Sequence, residues 1–240
     1  MRKNDKSSFD TQRENNRSSA SVKLTHSDVA YQKLKKLILD GVLPAGSQLL
    51  EQEAAEKLNM SRTPVREAMI RLRQDGMVDI RPRHGMRVLP VSAEDMREIY
   101  QVLTSLEGTA VETIAEIGLS RSHKLVLEKA LNDMDAALAD NDLKAWAEAD
   151  ELFHSKLVEF SANNRLINMV SQLWEQSHRA RMITLRMRPI PVDSNNEHRQ
   201  LLDALVEKDA NKARKLHETH RKKSGKMLVE LLNDIRSMEF

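Results

Sequence analysis

The sequence predicts a mainly α-helical protein, an N-terminal winged helix-turn-helix followed by an all-helical bundle of about six helices. Three observations point there. Glycine and proline are scarce, at seven and six in 240 residues, and aromatics supply only 3%, which leaves residues that lose little on entering a helix. Apolar side chains recur at three- and four-residue intervals over most of the length after Val29. One stretch, Met77 to Leu89, breaks that period with two short extended runs about a turn.

Residues 1–24 hold Ser, Asn, Arg, Lys and Asp with almost nothing apolar, so burial cannot offset chain entropy and a disordered tail is expected. A first helix follows from about Asp28 to Asp40, with Val29, Leu34, Ile38 and Leu39 as its apolar stripe and Gly41 as its stop. Leu43-Pro44-Ala45-Gly46 is a turn. A second helix from about Glu51 to Leu58 turns Ala54, Ala55 and Leu58 inward, and Asn59 suits the left-handed residue after it. Ser61 stands at the N-cap of a third helix that runs to about Asp75. Pro64 falls in its first turn, where the missing N–H does no harm. Ala68, Met69 and Leu72 face inward, and Gly76 ends the helix. Met77–Ile80 and Met86–Leu89 read as paired strands about the turn Arg81-Pro82-Arg83-His84-Gly85. Three helices and a hairpin place the winged domain at 25–90 and leave 91–240 for the bundle.

Pro90 to Ser92 is a short linker, after which Ser92 and Asp95 form a capping box. Helices are expected at roughly 93–117, 121–139, 142–161, 163–186, 194–208 and 210–235. Ser194 and Glu197 read as a second capping box, and Asp209 as the cap of the last helix.

Composition narrows the function. Without cysteine there is no disulfide framework and no thiolate metal site, which fits a reducing cytosol. No apolar run approaches a membrane span and no signal-peptide core follows the N-terminus, so a cytoplasmic protein with no membrane partner is expected. Charge is uneven along the chain. Residues 1–24 carry six Lys/Arg against three Asp/Glu, 25–90 eleven against eight, and 91–240 twenty-one against twenty-five. A basic front and mildly acidic back suit a polyanion partner for the front.

Arg62 and Arg66 lie four apart near the start of the third helix and so project from one face, with Thr63 between them. Arginine can pair with guanine, and threonine can touch a phosphate or a thymine methyl. The helix N-terminus itself attracts phosphate. Arg71 and Arg73 lie further along and better suit the DNA backbone or the surface. At the wing tip Arg83 and His84 can reach a phosphate or the minor groove, and Gly85 permits the bend.

A second constellation lies in the bundle. Asp150 and His154 are four apart on a stripe with Leu143, Ala147 and Leu157; His198 shares one with Leu201, Leu202 and Leu205, and His220 with Ala213, Leu216, Met227 and Leu231. A buried carboxylate or imidazole without a partner costs several kcal/mol. One shared metal ion would satisfy all four, and a set of one carboxylate and three imidazoles suits zinc, nickel or manganese. Any one of these histidines taken alone is better read as a hydrogen-bonded core residue than as a ligand, and spacing does not show that the four converge. His217, at the edge of the His220 stripe, is the natural substitute; His123 and His178 lack such company. No nucleophile or further acid–base pair is apparent, so an enzyme is not expected, although a metal-dependent hydrolase or lyase fused to a DNA-binding domain is the rival. A metal sensor is another.

Leu43-Pro44-x-Gly46, Ser61-Arg62-Thr63-Pro64-Val65-Arg66-Glu67-Ala68 and Arg71-Leu72 through Asp75-Gly76 resemble the N-terminal domain of GntR-family bacterial transcription regulators. The resemblance implies a DNA-contacting set of Arg62, Thr63, Arg66, Arg83, His84 and Gly85. Asp150-x-x-Phe153-His154, Glu197-His198-x-x-Leu201-Leu202-x-Ala204-Leu205 and Asp209 through Ala213 to His220 resemble the FCD ligand-binding domain of the FadR/VanR branch, six helices suiting the VanR-like form. It implies a homodimer on an inverted-repeat operator in double-stranded DNA. It also implies a divalent metal on Asp150, His154, His198 and His220 and a small organic-acid or sugar-acid effector whose carboxylate meets that metal. One departure is visible. Many such domains carry an arginine three or four residues ahead of the Leu-Glu pair, whereas Leu106-Glu107 follows Val102-Leu103-Thr104, leaving Arg181 or Arg186 to supply a cation from another helix.

Overall fold

The structure, a computed structural model, describes residues 24–238; the expected tail up to residue 23 lies outside the described residues. The first helix, α1 (His26–Leu39), starts earlier than its apolar stripe because Thr25 caps it. The Thr25 hydroxyl accepts the Asp28 N–H at 3.1 Å, and the Asp28 carboxylate accepts the Thr25 N–H at 3.0 Å. Helices α2 (Glu51–Leu58) and α3 (Arg62–Gln74) follow, with Asn59 left-handed between them at φ 52°. Ser61 occupies the N-cap position of α3 in extended backbone, but its side chain makes no capping hydrogen bond.

A short strand escaped the sequence. Strand β1 (Gln48–Leu49) pairs antiparallel with β3 (Gly85–Val88), which pairs on its other side with β2 (Val78–Arg81). Two residues are too few to show the alternation that marks a strand. Gly85 makes the third strand possible. Its φ is +69°, and a Cβ there would lie 2.3 Å from the Leu49 carbonyl oxygen. Leu34, Val65, Ala68, Leu72 and Met86 are fully buried where the helices meet this sheet.

The bundle comprises α4 (Ala93–Ile117), α5 (Arg121–Ala139), α6 (Leu143–Phe160), α7 (Asn164–Thr184), α8 (Val192–Val206) and α9 (Ala210–Met238), with a 3-10 turn at Leu185–Met187. Helices α4 and α9 pack intimately: a Cβ on Gly225 would meet the Tyr100 ring at 2.7 Å. Asp142 and Asn163 cap α6 and α7, and Asp209 accepts the Lys212 N–H at 3.0 Å, as expected. Ser194 and Glu197 do not form a capping box. Helix α8 begins at Val192 with Pro191 at its N-cap, so Ser194 is already inside it, and Glu197 is turned to His220 and Lys223 instead.

Two contacts fasten the bundle to the winged domain. Lys35 of α1, buried, meets Glu175 of α7 at 2.7 Å, and Arg179 of α7 donates to the Leu89 carbonyl at 2.5 Å.

Candidate DNA-binding face and metal centre

Arg62 and Arg66 project from the first turn of α3 into solvent, their side chains 67% and 70% exposed. Both sit beside one carboxylate, Glu51 of α2, at 3.5 Å and 3.6 Å. Exposed pairs of this kind are worth little, so the arrangement spreads the two guanidiniums without tying them down. Thr63 is exposed between them, and the wing tip presents Arg83, left-handed at φ 67°, and an exposed His84 ahead of Gly85. The six residues picked from the sequence therefore lie on the recognition helix and the wing of one domain. Arg71 serves the fold. It meets Asp28 at 2.7 Å and lies over the Tyr31 ring at 4.2 Å, and it is not a free surface cation.

Inside the bundle, Asp150 and His154 of α6, His198 of α8 and His220 of α9 are all buried and converge. His198 Nε2 lies 3.1 Å from His154 Nε2 and 3.2 Å from His220 Nε2. Asp150 Oδ1 lies 3.6 Å from His154 Nε2 and 3.7 Å from His198 Nε2. A ring nitrogen has one proton or one in-plane lone pair, so His198 Nε2 can form a good hydrogen bond with only one of its two imidazole neighbours. Among the described residues, the Nδ1 atoms of His154 and His198 have no partner either. His154, His198 and His220 each offer a nitrogen within 4.8 Å of the other two, and Asp150 Oδ1 stands beside the first two of them, a donor set a divalent cation would satisfy. Burial, and next the Arg221 cation, push the His154 pKa down to about 3. Burial, and then the two neighbouring histidines, push His198 well below its ordinary value. Both are thus in the neutral form that ligates metal. Burial works against ionisation of Asp150, but its neighbour His154 and the Arg181 guanidinium at 2.5 Å hold it well below the usual carboxylate range.

Behind the ligands stands a second row. The Glu197 carboxylate meets His220 Nδ1 at 2.7 Å, which directs Nε2 inward. Arg181 Nη2 donates to Asp150 Oδ2, leaving Oδ1 for the histidine side.

The domain order and these sites find their match among known proteins. A model described as "Bacterial regulatory proteins, gntR family" matches residues 26–88, and one for the FCD domain matches residues 98–223, more than half of the chain. The chain belongs to the GntR family. This GntR regulator is 44% identical over 135 residues to an HTH-type transcriptional regulator from the TAR-I ttuE-ttuC' intergenic region of Agrobacterium vitis, covering 55% of this chain and 79% of the relative. It is 29% identical over 226 residues to the Uxu operon regulator of Haemophilus influenzae, covering 87% and 84%. In fold it is similar to the solved structure of E. coli McbR/YncC, with a TM-score of 0.74 and 24% identity over 87% of this chain and 99% of that one. The matched families and relatives are transcriptional regulators, not enzymes, so the chain is a DNA-binding regulator with an effector-binding domain.

The GntR regulator also holds a polar cluster that the sequence did not show as one. Glu107 of α4, 1% exposed, accepts from Trp174 Nε1 at 2.5 Å, from Arg221 Nε and Nη2 at 2.5 Å and 2.7 Å, and meets His217 Nε2 at 2.9 Å. Burial alone would raise its pKa, but the Arg221 charge and then His217 hold it below the usual carboxylate range. Glu107, His154 and His217 stand close enough to share an ion. With four donors already on its carboxylate, however, Glu107 is saturated by protein. His217 is therefore no edge residue. The buried face of α9 runs through His217, His220, Arg221, Leu228 and Leu232, about one position round from the stripe expected through Met227 and Leu231. Of the two cations expected from other helices, Arg181 is engaged by Asp150 and Arg186 is exposed. His178 meets Glu151 at 3.0 Å and His123 stacks on Phe160 at 3.9 Å, both outside the cluster.

Proposed function

We propose that this GntR regulator is a cytoplasmic homodimer that binds an inverted-repeat operator in double-stranded DNA. Its affinity for that operator is set by a small organic or sugar acid taken up in the FCD domain beside a divalent metal. The cluster of three imidazoles, His154, His198 and His220, with the Asp150 carboxylate beside two of them, supports this most. Asp150, His154, His198 and His220 would hold the ion, with Glu197 and Arg181 orienting His220 and Asp150. Such an ion supplies positive charge, and a coordination position for a carboxylate oxygen. The signal must reach the DNA by favouring one placement of the two winged domains over another, since an acid that binds both placements equally shifts nothing. No helix among the described residues is long and apolar enough to cross a membrane, which is compatible with this reading.

The test compares operator affinity in protein stripped by chelator, reloaded with zinc, nickel or manganese, and then given carboxylic acids. Little change with metal and a large change with metal plus acid is expected. A full response to metal alone would replace the acid-responsive reading with a metal sensor, and no response to either would remove both.

Arg62, Thr63, Arg66, Arg83, His84 and Gly85 form the proposed DNA face. Arg62→Ala and Arg66→Ala should each lower the ratio of operator to random-DNA affinity by about 1–3 kcal/mol at fixed salt, as loss of a bidentate base contact does. An unchanged ratio with uniformly weaker binding would move these arginines from bases to phosphates.

A further inference from the structure

The winged domain and the bundle keep separate apolar cores, one around Leu34, Val65 and Met86, the other, on the α7 side, around Leu103, Val170 and Trp174. Both contacts that fasten the domains together are polar. The Lys35 ammonium meets Glu175 beside a narrow cleft of about 260 Å³ that Gln74, Asp75, Gln172 and Gln176 also line. Lys35 is only 7% exposed, and Glu175 is the only carboxylate within 4 Å of it among the described residues. A buried ammonium without a counter-ion is costly, and the winged domain leaves that of Lys35 to the bundle.

The network does not end at Lys35. Its ammonium also donates to the Tyr31 hydroxyl at 3.3 Å, and that hydroxyl donates to Asp75 Oδ2 at 2.6 Å. Burial, and then the Asp75 hydrogen bond, push the Tyr31 pKa upward, so the phenol keeps the proton it donates. Asp75 is the C-cap of α3, and its own N–H returns to the Arg71 carbonyl at 2.9 Å. A continuous run of polar contacts therefore leads from the bundle to the last turn of the recognition helix. The second contact ends close by. Arg179 donates to the Leu89 carbonyl, and the Leu89 N–H donates to the Met77 carbonyl at 3.0 Å, closing the base of the wing. Both contacts thus end at the foot of the wing, Asp75 shortly before β2 and Leu89 directly after β3. Arg62 and Arg66, at the opposite end of α3, are not involved.

We propose that Glu175, Lys35, Tyr31 and Asp75 form a latch that fixes the placement of each winged domain on its bundle, and so sets the half-site spacing that a dimer accepts. They are positioning residues and touch no DNA. One base pair of added spacing moves a half-site by about 3.4 Å and turns it by about 35° around the duplex. A head held at Asp75 and Leu89 cannot follow that displacement. A released head, tethered only by the linker Pro90 to Ser92, can. The latch has this role only if two heads bind an inverted repeat, as proposed above.

The probe is the inverted repeat that the full wild-type chain recovers from a random duplex library, remade with a base pair inserted at its centre, with one removed, and as a single half-site. Affinities at fixed salt are measured for wild type, for Glu175→Lys, which sets like charges face to face, for Glu175→Gln, and for the exchange Lys35→Glu with Glu175→Lys. Wild type should lose about tenfold or more at altered spacing and Glu175→Lys about threefold or less, with the half-site bound equally by both. The exchange should regain part of the wild-type discrimination. Unchanged spacing dependence in Glu175→Lys overturns the latch. So does a half-site affinity that falls in that variant, since the network would then be supporting α3 itself. Should Glu175→Lys lose its fold, Glu175→Gln decides by the same comparison. A library that returns no inverted repeat sinks the paired-head reading, and the latch with it; an inverted repeat bound by wild type equally at every spacing sinks the latch alone.

Discussion

Glu107→Ala is expected to destabilise the bundle by about 3–5 kcal/mol, the range found when one partner of a buried ion pair is removed. The change strands three side chains at once. Arg221, 4% exposed, would keep its charge with no counter-ion, and the Trp174 indole N–H and His217 would lose their shared acceptor. Urea unfolding of chelated protein measures it without a contribution from metal. Glu107→Gln, which keeps the shape and an acceptor, should cost less, and Glu107→Leu combined with Arg221→Met should recover much of the loss, because neither charge is then buried alone. A loss below about 1 kcal/mol for the alanine variant would mean that Arg221 finds water or another partner.

His198→Ala carries the other large effect, because His198 Nε2 is the atom nearest both other imidazoles. Near-stoichiometric metal is expected in gently purified wild type and little in the variant, read by elemental analysis. Ligand binding to the folded state alone stabilises it by about 4 kcal/mol at a thousand times Kd. For a chain of this size that is roughly 10 °C in Tm. Chelator should lower Tm by about this much in wild type and leave the variant unmoved. A variant that kept its full metal would exclude His198 from the site.

The parts of the molecule legible in its sequence were those written locally. Arg62 and Arg66 declare themselves because four residues make one helical face, and the bundle helices fall near their expected places because each is long enough for its period to show. Strand β1 was too short for any period, and α8 begins at a proline cap with no side-chain signature. The Glu107 cluster was hidden for a different reason: it joins groups up to 114 residues apart. Its one local trace is a glutamate in the row Tyr100, Leu103, Ala110 and Ile114, a charge in line with residues that are all buried. Asp150, His154, His198 and His220 could each be placed on a core-facing stripe, but only the packing of α6, α8 and α9 brings their nitrogens to 3.1–3.2 Å.

Helix α7 has a consequence beyond its packing. Glu175 and Arg179 grip the winged domain through Lys35 and the Leu89 carbonyl, and Arg181 on the same helix grips Asp150. The three span about 9 Å of one unbroken helix at 1.5 Å per residue, too short a length to flex. A tilt that re-seated Arg181 on its carboxylate would carry Glu175 and Arg179 with it, so a change of geometry among the buried imidazoles would have a route to the root of the winged domain that needs no loop.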